Sequence, residues 1–194
     1  MTIQRGNLII VAGPSGAGKG TIENAVMEAY PDIEFSVSVT TRPRREYEVE
    51  GKHYFFISKD EFLQKIRNDE LVEWQEVYSK NGHLYGTLRS YIDDALNEGK
   101  RLLLDIDIKG GIKVKQAYPD ESISIFIEPP SREALEQRLL ARGTDSKEQI
   151  QIRLERASEE LDLGQLFDYK IVNSDLEDAV QNFKKLLNEN IYHQ

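Results

Sequence analysis

Short apolar runs punctuate the chain, and their lengths separate strands from helices. Asn7-Leu-Ile-Ile-Val-Ala12, Leu102-Leu-Leu-Asp-Ile106, Ile123-Ser-Ile-Phe-Ile127 and Tyr169-Lys-Ile-Val172 are too brief for packed helices, and each predicts a strand buried on both faces. Helical patterns lie between them, over 18–30, 89–99, 108–118, 131–142, 147–163 and 175–192. Strands alternating with helices imply right-handed crossovers and a mostly parallel sheet covered on both sides. Ser146 with Gln149, and Ser58 with Glu61, have capping-box spacing, in which each side chain satisfies a free backbone N–H. Ser131 follows Pro129-Pro130 and precedes Ala134, Leu135, Leu139 and Leu140 on one helical face, so it predicts another helix start.

The alternation fails over 36–87. Phe35-Ser-Val-Ser-Val39, His53-Tyr-Phe-Phe-Ile57 and Leu71-Val-Glu-Trp-Gln-Glu-Val-Tyr78, with one short helix near 59–68, predict a small, mostly antiparallel β insertion. The expected architecture is α/β: a three-layer core with a mostly parallel sheet from 1–35 and 88–194, carrying a small mixed β insertion at 36–87. The chain shows neither an internal repeat nor a low-complexity tract.

Composition removes several chemistries. Without cysteine there is no disulfide, thiolate metal site or Cys nucleophile, and His53, His83 and His193 are too far apart in sequence to suggest a histidine zinc site. A net charge of −9, from 25 basic and 34 acidic residues, disfavours a general binder of nucleic acid or anionic membranes. No apolar run approaches the roughly 20 residues that span a bilayer, and the first residues lack the pattern of a secretory signal. A soluble cytoplasmic protein is expected.

Gly13-Pro-Ser-Gly-Ala-Gly-Lys19 follows a buried strand and opens a helix, the context a phosphate-binding loop (P-loop) needs. Its glycines let backbone N–H groups turn inward around phosphate oxygens, the helix N-terminus favours the same anion, and Lys19 adds a cation. The loop therefore predicts a P-loop NTPase-type core binding a nucleotide through Gly13, Pro14, Ser15, Gly16, Ala17, Gly18, Lys19, Gly20 and Thr21. The hydroxyl residue usual after the lysine is replaced by Gly20, and a hydroxyl follows at Thr21. Mg²⁺ is thus expected to be held mainly by phosphates and water, with Thr21 on a phosphate; Asp105 and Asp107 stand at the end of the strand 102–106.

Thr40-Thr-Arg-Pro-Arg-Arg45 crowds three arginines into four positions of an acidic protein. A guanidinium fork can pair two phosphate oxygens, so this turn predicts a second anion site and a second phosphorylated substrate. Glu73, inside an apolar strand, needs a donor partner, because an unpaired buried carboxylate costs several kcal/mol. Guanine offers N1–H and N2–H₂ on one edge, and its O6 suits a hydroxyl such as Ser38 or Thr87. Adenine lacks both matching donors, and an unpaired polar group in the site rejects it.

With Gly13–Thr21, Ser38–Arg45, Glu73-Trp74, Tyr85-Gly-Thr87 and Asp105-Ile-Asp107 in one order, the chain resembles the guanylate kinases. The similarity runs from about residue 7 to 190 and includes Glu128-Pro-Pro-Ser131 and Ile171-Val-Asn-Ser174. The resemblance implies that Arg42 and Arg45 grip the GMP phosphate and that Tyr54 and Tyr85 close on it. It makes Ser38, Glu73 and Thr87 the guanine readers, with Asp107 near the base's amino group and Asp105 near the metal and phosphates. Arg142 and Arg153 match the lid arginines, Arg138 is a possible helper, and Asn173 and Ser174 fall where the family holds adenine.

Two positions depart from the pattern: Tyr47 stands where a glycine is usual, and Lys109 replaces a common glutamine. They imply a reshaped turn after the arginines and an added cation near the site. The implied activity is transfer of the ATP γ-phosphoryl group to GMP, and to dGMP, with Lys19, Arg45, Arg142 and Arg153 as catalytic cations and Mg²⁺ as cofactor. The insertion and a helical lid at about 141–153 are expected to close over both substrates. The alternatives are a non-catalytic guanylate-kinase-like binding module, disfavoured by the intact Lys19 and glycines, and a kinase for another phosphorylated small molecule.

Overall fold

The computed structural model describes residues 5–77, 82–143 and 146–192. Five parallel strands form the main sheet: β1 (Asn7–Ala12), β2 (Ile33–Phe35), β7 (Arg101–Asp105), β8 (Ser122–Glu128) and β9 (Tyr169–Val172), in the order β2-β7-β1-β8-β9. Successive side chains of a strand alternate between faces, so each strand feeds two apolar layers. Ile9, Val11, Leu103, Ile125 and Ile127 pack on one face against α1 (Lys19–Ala29) and α7 (Leu176–Leu187). Leu8, Ile10, Leu102, Leu104 and Phe126 pack on the other against α3 (Arg89–Asn97) and α4 (Ile108–Ala117). The buried positions on both faces explain why these strands read as continuous apolar runs.

The second sheet has the order β4-β3-β6-β5, from β3 (Val39–Thr40), β4 (Phe55–Phe56), β5 (Leu71–Val77) and β6 (His83–Leu88). It is antiparallel at β3–β6 and β5–β6 and parallel at β3–β4. Its own small core joins Val39, Leu71 and Leu84 to Phe62 of α2 (Lys59–Arg67). The expected single strand over 35–39 is in fact two: β2 stays in the main sheet, and the chain crosses to the second sheet before Val39. Residues 83–88, to which the sequence pattern assigned no element, form β6. Tyr78, the expected end of β5, lies outside the described residues.

Near the P-loop, α5 (Arg132–Arg142) and α6 (Lys147–Leu163) pack through Leu135, Leu139, Ile150 and Leu154. Both expected capping boxes form, at Ser58/Glu61 and Ser146/Gln149, and Ser131 caps α5 through Ala134 N–H. The chain's last helix is shorter than the pattern predicts, because α7 gives way to a π-type turn over Asn188–Tyr192.

Candidate active site

In a parallel sheet all carboxyl ends share one edge, and ligands bind in the crevice beyond it. Here the loop leaving β1 passes into α1 at that edge, beside Asp105 at the end of β7. Gly13 lies so close to β8 that a Cβ on it would sit 2.1 Å from the Ile127 carbonyl oxygen. Gly18, left-handed at φ +95°, would place a Cβ 2.3 Å from Asn173 Nδ2. Both positions require glycine.

The loop is braced by residues distant in sequence. Asn173 Nδ2 donates to the Ala17 carbonyl at 2.7 Å, and Arg138 donates to Ala17 O at 3.3 Å and to Asn173 O at 2.8 Å. Arg153 Nη1 donates to Ser15 Oγ at 2.7 Å, and Lys19 Nζ donates to the Gly13 carbonyl at 2.8 Å. Asn173, implied at the adenine, is buried with its amide nitrogen engaged by the loop, whereas Ser174 beside it is exposed. The Arg142 backbone ends α5, and its side chain lies outside the described residues, as do Thr144 and Asp145 of the expected lid.

On the second sheet, Glu73 and Thr87 are directly paired across β5 and β6. Thr87 Oγ1 donates to Glu73 Oε1 at 2.7 Å, and both side chains are buried. Burial pushes the Glu73 carboxyl up to about 7, and the Asp107 carboxylate adds to the rise. Asp107 caps α4, accepting from the backbone N–H groups of Lys109 and Gly110. Gly110 permits this crowding, because a Cβ there would meet Glu73 Oε2 at 2.9 Å and Asp107 Oδ2 at 3.1 Å. The two carboxylates implied at the base are therefore brought together.

The arginine turn is organised by a residue that sequence reasoning missed. Glu48, buried, accepts from Arg42 Nη2 at 2.6 Å, from Arg42 Nη1 at 2.9 Å and from Arg45 N–H at 2.7 Å. The hydrogen-bonded Arg42 guanidinium holds the Glu48 carboxyl down at about 2. Arg42 also lies 5.4 Å from the Tyr54 ring centroid, and Tyr54 meets Tyr85 edge-to-face at 5.9 Å. Arg45 is exposed and donates to Tyr47 Oη at 2.8 Å, a contact that a glycine at 47 could not make. Lys109 is exposed in the first turn of α4 and does not line the cavity described next.

One cavity of about 690 Å³ joins these parts. Its wall includes Gly13–Gly16, Gly18–Thr21, Ser38, Tyr54, Glu73, Tyr85, Asp105 and Asp107. Arg42, Arg45, Thr87, Arg153, Asn173 and Ser174 are not on that wall. Asn24, Gln75 and Glu160 are on it, and sequence reasoning did not find them. Gln75 stands two residues beyond Glu73 on the same strand face, a signal that period-two reading supplies.

The donors available to a divalent cation are oxygens. Asp105 and the Thr21 hydroxyl residue line the cavity beside the loop. No group of three or more His, Cys, Asp or Glu is assembled for a metal among the described residues. The oxygen donors of Asp105 and Thr21 fit Mg²⁺, which binds through one or two carboxylates plus substrate phosphates. Asp105 is exposed to the cavity, yet desolvation by the surrounding protein raises its carboxyl above the usual range, against the opposing pull of Lys19.

The family sequence model described as "Guanylate kinase" matches residues 5–190. The chain belongs to the guanylate kinase family. It is 46% identical over 177 residues to a guanylate kinase of Thermotoga maritima, covering 91% of this chain and 84% of that protein. It is 45% identical over 185 residues to one of Trichodesmium erythraeum, covering 95% and 97%. The crystal structure of guanylate kinase from Anaplasma phagocytophilum superposes with a TM-score of 0.72 at 33% identity, over 97% of this chain and 88% of that one. The match spans both sheets, so the whole cavity lies within the part shared with the guanylate kinase family. Among the described residues, no helix is long and apolar enough to cross a membrane.

Proposed function

We propose that this protein transfers the γ-phosphoryl group of ATP to GMP, giving ADP and GDP, and that dGMP is also accepted. The supporting observation is the single cavity whose wall carries the P-loop on one side and Glu73 with Ser38 on the other. Donor and acceptor nucleotides can meet there end to end. Membership of the guanylate kinase family supports the same reaction.

The acceptor's phosphate oxygen is already ionised near neutral pH, so the nucleophile needs no strong general base. Catalysis is alignment plus neutralisation of charge on the transferring group. The P-loop amides and Lys19 hold the ATP phosphates. Arg42 and Arg45 receive the GMP phosphate, with Tyr54 and Tyr85 beside it. Glu73 accepts from guanine N1–H and N2–H₂, Ser38 and Thr87 complete the base pocket, and Asp107 lies near the amino group. Arg142 and Arg153 supply positive charge from the lid side, with Arg138 and Asn173 bracing the loop.

Two anions repel until cations surround both, which is why the reaction needs this many basic groups. Mg²⁺ bound with ATP supplies further charge neutralisation, with Asp105 and Thr21 as the cavity residues suited to it. Residues 36–87 act as the GMP-binding part, and the segment at about 141–153 closes over the substrates to exclude water. A cytoplasmic setting, where ATP is abundant, suits the reaction.

Product analysis tests this directly. With ATP, Mg²⁺ and GMP together, ADP and GDP form in equal amounts, and ADP formation falls sharply when GMP is omitted. A binding module of this fold yields no ADP under either condition, and that result would refute the proposal.

A further inference from the structure

Like Glu160 on the cavity wall, Glu23 is an acidic side chain near the P-loop that the phosphoryl-transfer account leaves unused. It lies on α1, one turn beyond Lys19, and is only 3% exposed. Its Oε1 is fully buried and has no hydrogen-bond partner. A buried carboxyl oxygen without a partner costs free energy, so its retention calls for a partner that is present in the working state. Glu23 interacts electrostatically with two groups, the Asp105 carboxylate and the Lys19 ammonium, and both of these line the nucleotide cavity.

The neighbouring position supplies a second, independent observation. Position 20, where a P-loop usually offers a metal-binding hydroxyl, is Gly20, and a Cβ there would have nothing within 4 Å. Positions 20 and 23 are three apart on a helix and share a face, and helical side chains lean toward the N-terminus. The long Glu23 side chain therefore belongs to the face from which the hydroxyl is missing. The space beside Gly20 can take a water, and Asp105 at the end of β7 bounds the same region.

We infer that Glu23 and Asp105 together form the protein side of a divalent-cation site for ATP-bound Mg²⁺, with Glu23 accepting a hydrogen bond from a metal-bound water in the space left by Gly20. Mg²⁺ retains several waters when it binds through phosphates, so a carboxylate that orients one of them replaces what a serine or threonine supplies as a direct ligand. Outer-shell carboxylates of this kind tune metal affinity by roughly 10–100-fold. Burial and the neighbouring Asp105 carboxylate push the Glu23 carboxyl up to about 8, and the Lys19 ammonium pulls the other way. The inference rests on the proposed use of ATP at the P-loop.

The test measures binding rather than turnover. Affinity for a non-hydrolysable ATP analogue is determined by calorimetry with and without Mg²⁺, and Mn²⁺ binding to the analogue complex is followed by electron paramagnetic resonance. In the wild type, the metal tightens analogue binding. E23Q is expected to bind the metal-free analogue about as well as wild type, while Mn²⁺ affinity falls at least about tenfold. The double variant G20S/E23Q is expected to recover most of that loss, because the serine hydroxyl restores a direct ligand. Unchanged Mn²⁺ affinity in E23Q, or loss of metal-free binding by that variant, would overturn the inference. Failure of the wild type to bind the analogue under any condition would overturn the ATP reading as well, so the two failures are distinguishable.

Discussion

Arg42 and Glu48 are joined by two hydrogen bonds, Nη2 to Oε1 at 2.6 Å and Nη1 to Oε2 at 2.9 Å, and the same carboxylate accepts from the Arg45 backbone at 2.7 Å. One buried side chain thereby fixes the turn that carries both proposed phosphate-gripping arginines. The guanidinium plane is set beside Tyr54 and Phe56 before any anion arrives. Pre-setting a fork in this way reduces the ordering cost of binding. Glu48→Gln is expected to raise the KM for GMP about tenfold while leaving the KM for ATP nearly unchanged. Steady-state kinetics with each substrate varied in turn checks this, and an equal rise in both would assign Glu48 to general folding instead.

Glu73 makes the GMP side pH-sensitive. Burial, aided by Asp107 and opposed by the Thr87 hydrogen bond and Lys113, raises its carboxyl to about 7 from an ordinary value of 4.5. Only the ionised form accepts two guanine donors, so the KM for GMP should rise about tenfold per unit as pH falls below about 7. The KM for ATP should not follow. Glu73→Gln should flatten that dependence at a higher KM, and a pH series of both proteins decides it.

The same shift predicts a stability trade. The folded state holds the proton more tightly than the unfolded chain, so unfolding free energy falls as pH rises from about 4.5 to about 7, by on the order of 3 kcal/mol. Glu73→Gln should therefore raise the melting temperature relative to wild type at pH 8 but not at pH 4.5. Thermal denaturation at the two pH values checks the sign.

Asn173 ties the P-loop to the end of β9 through its bond to Ala17 O. Truncation removes that bond and leaves the Ala17 carbonyl only the longer one from Arg138, at a cost of about 0.5–1.5 kcal/mol. Asn173→Ala should lower the melting temperature by a few degrees and raise the KM for ATP more than that for GMP. Equal effects on both substrates would argue that the bond serves the core rather than the loop.

Arg45 is exposed, and Arg153 reaches Ser15 of the loop. Arg45→Ala and Arg142→Ala should each cut turnover at least about tenfold with little change in melting temperature, as removal of a charge-stabilising group does. Full activity in both would refute their role as catalytic cations.

Much of the fold was legible because its signals are local. Buried strands such as Leu8–Ala12 and Leu102–Leu104 reveal themselves by unbroken apolar runs, and the P-loop by the spacing of its glycines and Lys19. The strand β2 was hidden because it has only three residues, two of them exposed. β6 was harder to see because Gly86 interrupts its alternation of side chains. The glycine lets Glu73 O, Trp74 Cβ and Phe62 Cζ approach within 2.9–3.2 Å of where its Cβ would sit. The bracing of Ala17 by Asn173 joins residues 156 apart in sequence, beyond the reach of any local pattern. The Arg42–Glu48 pair is only six residues apart, yet one glutamate among several in Arg45–Glu50 carries no mark that singles it out.

The central claim is that a guanine monophosphate is selected by Glu73 and presented to ATP at the P-loop. The most direct measurement is ATP-dependent turnover of GMP, dGMP, IMP, AMP and UMP at one concentration, in wild type and Glu73→Gln. GMP and dGMP should lead in the wild type, IMP should trail for want of the N2 amino group, and AMP and UMP should be at least about a hundredfold slower. Glu73→Gln should compress the gap between GMP and IMP. Turnover of AMP at the rate of GMP, or a selectivity that Glu73→Gln leaves unchanged, would contradict the account.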